Sequence, residues 1–292
     1  MTSSSTPRAD IQLPAAVHDR LIERLKSNSL ELPVLPEVAS QVVTLSNDPN
    51  ADTRRLAQLI QRDQAMAGHL MRMANSPFYS PKIPLVSLDQ VVSRMGMKRI
   101  REIALIISCQ SKVFKVPGYE ALVKSHFRHS LAAAAFAQEI ARSRRWNVEE
   151  AFLCGLLHDV GWPVLLQELV DLYKSCDVAF ELPVAEAVIS ALHTRIGSDL
   201  VKHWSLPARL GEAILYHHDP LSSTIASQTA MMTNLADDLA HLTVPLLDNP
   251  RAVNEDSVRA HPMLQHLNMY PDEMDALLAM REHITQMIEA VA

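Results

Sequence analysis

Two side chains able to hold a metal ion stand next to each other in Gly155-Leu156-Leu157-His158-Asp159-Val160-Gly161, where an apolar helical run ends on a His-Asp pair and breaks at Gly161. Five more candidate ligands, His129, His193, His217, His218 and Asp237, fall on segments that read as helices or helix ends. Imidazole and carboxylate are the donors that suit iron, manganese or zinc. Five histidines and two carboxylates are enough to hold two such ions, with Asp159 as the natural bridging carboxylate. Two close cations can lower the pKa of a shared water and neutralise phosphate oxygens, the chemistry of two-metal phosphohydrolases. Each residue also has an ordinary reading: a lone histidine as a hydrogen-bonded side chain, His158-Asp159 as helix-end capping, and Tyr216-His217-His218-Asp219-Pro220 as a polar turn. The remaining histidines, His241 among them, have no such context and read as structural or surface groups.

The elements that must position these residues are helices. Seven glycines and 5% aromatics, against 48% hydrophobic residues, favour helix over sheet, and 292 residues suffice for a sizeable core. The spacing predicts a helix around Val17 to Leu25, an extended Leu32-Pro33-Val34-Leu35-Pro36 turn, and a helix carrying Val38, Val42 and Leu45. Asp52 and Asp63 offer N-caps to two further short helices, and the Met66, Leu70, Met73 stripe reads as core filler. Ser87-Leu88-Asp89-Gln90 is a capping box opening a helix that ends at Gly96, and Met97-Lys98-Arg99-Ile100-Arg101 opens another. Such a pair could form a helix-turn-helix DNA reader using Lys98, Arg99 and Arg101. The second helix, however, turns apolar at Ile103 to Ile107 and the chain is acidic overall. Later helices are expected at about Ile225 to His241 and Pro271 to Val291, the last packing on the body or on a second copy, with a loop over Pro245 to Asn254.

The succession Leu32-Pro-Val-Leu-Pro-Glu, Ile60-Gln-Arg-Asp, Met73-Ala-Asn-Ser and Ser87-Leu-Asp-Gln…Met95-Gly-Met-Lys-Arg resembles the N-terminal half of the HDOD family, HD-related output domains of bacterial signalling proteins. The likeness continues in Phe127-Arg128-His129-Ser130, Gly155 to Gly161, His193-Thr-Arg-Ile-Gly197, Trp204-Ser-Leu-Pro207 and Ala213 to Pro220, covering roughly residues 15 to 245. It is also similar to the metal-dependent HD superfamily. There His129 stands at the first family histidine, His158-Asp159 at the name-giving pair and Asp237 at the final aspartate, while His193 and His217-His218 match the extra ligands of cyclic-di-GMP phosphodiesterases. The resemblance implies an all-α, HD-like multi-helix fold with an N-terminal helical lobe over 13–110 and an HD-like helical lobe over 111–245, while the polar Ser/Thr cluster over 1–12 reads as a mobile tail and 246–292 as a loop and C-terminal helix. It implies a pocket for one or two divalent transition metal ions. Phosphodiesterases of this superfamily follow His-Asp-x-Gly with lysine, and the cyclic-di-GMP branch follows its His-His pair with a Gly-rich loop that helps hold substrate. Here Trp162 and Asp219-Pro220-Leu221-Ser222-Ser223 stand in those places, which favours a stand-alone signalling regulator over a hydrolase.

The formal charge of −6 gives no general attraction to nucleic acid or anionic membrane, and no apolar run approaches the ~20 residues that span a bilayer. Cys109, Cys154 and Cys176 lack disulfide or zinc-knuckle spacing and read as buried thiols of a reducing compartment, so a cytoplasmic protein is expected. With no receiver, cyclase or kinase segment in the sequence, its expected partners are signalling proteins or a small nucleotide ligand, with a homodimer left open.

Overall fold

In a computed structural model of the chain, residues 13–27, 29–46, 52–76, 84–110, 116–247 and 252–291 are described, and among them every regular element is a helix. The tail expected over 1–12 lies outside them. The N-terminal part contains α1 (Ala15–Ser27), α2 (Glu37–Ser46), α3 (Thr53–Ile60), α4 (Gln64–Ala74) and α5 (Leu88–Ser108). Their starts follow the caps in the sequence: Asp52 accepts from the Arg54 backbone N–H and Asp63 from that of Met66, both at 3.0 Å. Ser87 accepts from the Gln90 N–H at 3.3 Å, while the Gln90 side chain reaches back to the N–H of Val86 at 2.9 Å, one residue before the cap.

α5 is two limbs joined at Gly96, whose φ of 76° and ψ of 159° interrupt the helical backbone in a conformation open to glycine. The second limb buries Ile100 and Ile103 to Ile107, and its basic groups are engaged: Lys98 pairs with Glu149 at 2.9 Å and Arg99 with Glu102. Met66, Leu70 and Met73 are buried, as their helical spacing predicts. The proline turn 32–36 is non-helical and is fastened to the second half of the chain by the Trp204 indole N–H, which donates to the Pro33 carbonyl at 2.7 Å.

The second half comprises α6 (Glu120–Arg144), α7 (Val148–Leu157), α8 (Gly161–Ser175), α9 (Leu182–His203), α10 (Ala208–Leu215), a 3₁₀ turn (Pro220–Ser222) and α11 (Ser227–Thr243). It ends in α12 (Glu255–Arg259), α13 (Met263–His266), α14 (Pro271–Ala279) and α15 (Arg281–Val291). α6 is the axis, with α7 and α11 packed along it and α14 and α15 against its outer side. The segment read as one terminal helix is thus two, separated by a turn at Met280. Arg281 donates to the Leu242 carbonyl at 3.0 Å and to Glu255 at 2.9 Å, fixing the start of α15 on the body. α1 packs on α8, where Arg24 meets Glu168 at 2.6 Å and Arg20 donates to the Ser175 hydroxyl at 2.7 Å. One apolar cluster runs from Val17 to Ile288. No described helix is long and apolar enough to cross a membrane.

Candidate metal centre

The His-Asp pair lies in the three-residue turn His158 to Val160 between α7 and α8, and small residues let that turn sit deep. A Cβ on Gly155 would stand 2.6 Å from the Ala133 carbonyl oxygen and the Ala134 backbone, so α7 touches α6 backbone to backbone beside the run Ala132 to Ala135. A Cβ on Gly161 would stand 2.1 Å from the His193 carbonyl oxygen, so α8 starts against α9 at the residue that carries another candidate ligand. Gly161, read as the end of a helix, in fact opens α8.

Around this turn α6 contributes His129, α9 His193, the turn after α10 His217 and His218, and α11 Asp237. The structure therefore brings together all seven residues singled out in the sequence. His158 Nε2 lies 3.3 Å from Asp159 Oδ2 and 3.5 Å from Asp237 Oδ1, while His193 and His217 bring Nε2 to 3.3 and 3.6 Å from Asp159 Oδ1. His129 Nε2 is 2.8 Å from Asp237 Oδ1, and the His193 and His218 Nε2 atoms are 3.1 Å apart. His129, His158, His217 and Asp237 are buried, Asp159 keeps 13% of its side chain accessible, and His218 is exposed. The cluster thus reaches solvent on the Asp159 and His218 side.

Tautomers follow from the carbonyls behind the rings. Nδ1 of His158 faces the Gly155 carbonyl at 2.8 Å, that of His217 the Ile214 carbonyl at 2.7 Å, and that of His193 the Ile189 and Ser190 carbonyls at 3.1 and 3.0 Å. A carbonyl only accepts, so each Nδ1 carries the proton and each Nε2 turns toward the carboxylates. Nε2 of His158 and of His217 is buried without a hydrogen-bond partner. Lone pairs facing a carboxylate at these distances are relieved by a proton or a metal ion between them. Two ligands about 2.1 Å from a tetrahedral ion stand roughly 3.4 Å apart, close to the 3.3 and 3.6 Å from His193 and His217 to Asp159 Oδ1 and the 3.3 Å from His158 to Asp159 Oδ2. The donor set fits a divalent transition metal, and two ligand groupings, Asp159-His193-His217-His218 and His129-His158-Asp159, share Asp159.

Protons balance the same charges in the metal-free chain. Burial alone would lower His158, but Asp159 and Asp237 lift it well above the usual imidazole range. Burial alone would raise Asp159, but His158, His193 and His217 hold it well below the usual carboxylate range. Asp237, likewise opposed by burial, is held down by His129 and His158. Burial pushes His217 well below the imidazole range, reinforced by His218 and His158.

Two residues near the cluster had no functional reading in the sequence. His241, one turn after Asp237 on α11, brings Nε2 to 3.4 Å from Asp237 Oδ1, and its ring centroid lies 4.4 Å from that of His129. The only sequence signal was its i+4 spacing from Asp237, which any two helical residues can show. His126, one turn before His129, stacks on Trp162 with ring centroids 3.6 Å apart. Trp162 is only 7% exposed, so the position after Gly161 is filled by packed aromatic surface.

An all-helical body brings the six imidazoles of His129, His158, His193, His217, His218 and His241 around the carboxylates of Asp159 and Asp237, a donor set that could hold divalent metal. The family follows from the sequence match. The HDOD domain family model matches residues 32–220, and the chain belongs to the HDOD family. Its fold is similar to that of an HDOD domain protein of unknown function from Geobacter sulfurreducens, with TM-score 0.71, 25% identity, and coverage of 94% of this chain and 98% of that one. It also resembles a candidate metal-dependent phosphohydrolase from Shewanella amazonensis SB2B, with TM-score 0.72, 20% identity and coverage of 96% and 100%. At that identity the likeness shows the fold alone. An uncharacterized protein from Treponema pallidum (strain Nichols) is 21% identical over 267 residues, which are 85% of this chain and 50% of that protein, so the chain spans about half the length of this relative.

Proposed function

We propose that this HDOD protein is a signalling regulator whose His-Asp cluster binds one or two divalent transition metal ions and which does not hydrolyse phosphoesters. The observation that carries the metal reading is the orientation of the buried imidazoles. Three of them are locked by backbone carbonyls so that Nε2 faces Asp159, that of His158 at Oδ2 and those of His193 and His217 at Oδ1, as members of two ligand groupings that share this carboxylate. Bound there, an ion would supply Lewis acidity and lower the pKa of a coordinated water. What supports regulation over hydrolysis is Trp162: a buried indole stacked on His126 brings no positive charge toward a phosphate. The solvent-facing side of the cluster, at Asp159 and His218, is where a small nucleotide or a partner side chain would reach it.

The test is elemental analysis of protein purified without chelator, together with hydrolysis assays on a cyclic dinucleotide and a chromogenic phosphodiester. Wild type should carry about one to two equivalents of metal, Asp159→Ala markedly less, and neither should turn over substrate. Metal-dependent turnover that disappears in Asp159→Ala would instead establish a phosphohydrolase of the HD type. Metal-free wild type would remove the metal reading.

A further inference from the structure

The candidate ligands do not end at the residues that match the HD pattern. Asp237 Oδ1 is faced by three imidazole nitrogens: Nε2 of His129 at 2.8 Å, of His241 at 3.4 Å and of His158 at 3.5 Å. His129, Asp237 and His241 place their donor atoms within 4.8 Å of one another and are buried, at 0%, 2% and 5% exposure. His241 is therefore not the surface or packing histidine that its isolated place in the sequence suggests. α11 carries it one turn beyond Asp237, buried where His218 is exposed.

We infer that His241 is a further metal ligand, completing with His129 and Asp237 an ion position on the buried side of the cluster. This inference rests on the metal reading proposed above. Two imidazoles and one carboxylate are a sufficient protein donor set for a transition ion that keeps a further position for water. The 3.4 Å between His241 Nε2 and Asp237 Oδ1 is long for a hydrogen bond and is a spacing that two ligands at about 2.1 Å from one ion can hold, whereas His129 Nε2, 2.8 Å from the same oxygen, is at hydrogen-bond distance. The close, tilted approach of the His129 and His241 rings, 4.4 Å and 49°, aims both Nε2 atoms at the same carboxylate oxygen. An ion here would be enclosed by α6 and α11, whereas the Asp159 grouping lies at the solvent side.

The experiment soaks crystals of the full chain in manganese or zinc, locates ions by anomalous scattering, and titrates metal into wild type, His241→Gln and, as control, His203→Gln. The inference expects an anomalous peak within about 2.3 Å of His241 Nε2. It also expects His241→Gln to lose one ion equivalent, or at least 10-fold in affinity for it, with His203→Gln unchanged. Ions bound only around Asp159, with His241→Gln binding as wild type does, would overturn the role of His241 while leaving the metal reading intact. No ion in wild type would overturn both. Because the peak position is read on wild type, the test stands even if the variant folds poorly.

Discussion

At the scale of single residues, the centre is governed by which atom of each imidazole faces inward. Carbonyl acceptors behind His158, His193 and His217 fix Nδ1–H and turn Nε2 inward, so removing one ring should remove one ligand. His193→Ala is expected to lower bound metal at the Asp159 position by 10-fold or more, read by competition with a chromogenic chelator. The thiols give an independent check of burial. Cys109 and Cys154 are buried, and burial pushes the Cys109 thiol up to about 12 and the Cys154 thiol well above its ordinary value. Cys176, expected to be buried as well, is partly exposed, because it follows α8 at the surface. At pH 8 native protein should therefore take up one equivalent of iodoacetamide, at Cys176, and three only after unfolding. Rapid native labelling of Cys109 or Cys154 would contradict the packing of α5 or α7.

At the scale of elements, two glycines decide whether the His-Asp turn can reach its partners. A methyl group at Gly161 collides with the His193 carbonyl, backbone against backbone, and relief would require α8 and α9 to separate. Gly161→Ala is accordingly predicted to cost about 3 kcal/mol, measured by denaturant unfolding, and to weaken metal binding in whatever fraction still folds. Gly68 is the contrast: it lies inside α4, and an added Cβ would meet only the flexible end of Arg72 at 3.6 Å. Gly68→Ala should stabilise the chain by about 0.5 to 1 kcal/mol, since alanine restricts the unfolded backbone and favours helix. Equal effects of the two substitutions would refute the close approach of α8 to α9.

At the scale of the whole molecule, the candidate ligands come from α6, the α7–α8 turn, α9, the turn after α10, and α11, so an ion would join elements far apart in the chain. Binding to the folded state alone adds stability by mass action, about 2.7 kcal/mol at a hundredfold excess over Kd. Manganese or zinc should therefore raise the Tm of chelator-treated protein, and the rise should shrink in Asp159→Ala. An unchanged Tm with saturating metal would mean that the cluster is not a metal centre. The C-terminal helices bear on the same assembly, because α14 and α15 cover α6 from outside and Arg281 ties α15 to the end of the Asp237 helix. Within the chain, then, these helices pack on the body.

Local signals were legible because their causes are local. Caps at Asp52, Asp63 and Ser87 define helix starts through bonds to backbone atoms two or three residues away, the break at Gly96 through its own φ, and the Met66 to Met73 stripe through helical periodicity. The order of His129, His158, Asp159, His193, His217, His218 and Asp237 likewise sufficed to mark a candidate centre. The sequence could not show that Gly161 opens a helix against the His193 carbonyl, that Trp162 is spent on His126, or that His241 joins His129 at Asp237. Each of these depends on the distance between atoms of different helices, which only the packing of α6, α8, α9 and α11 around one core decides.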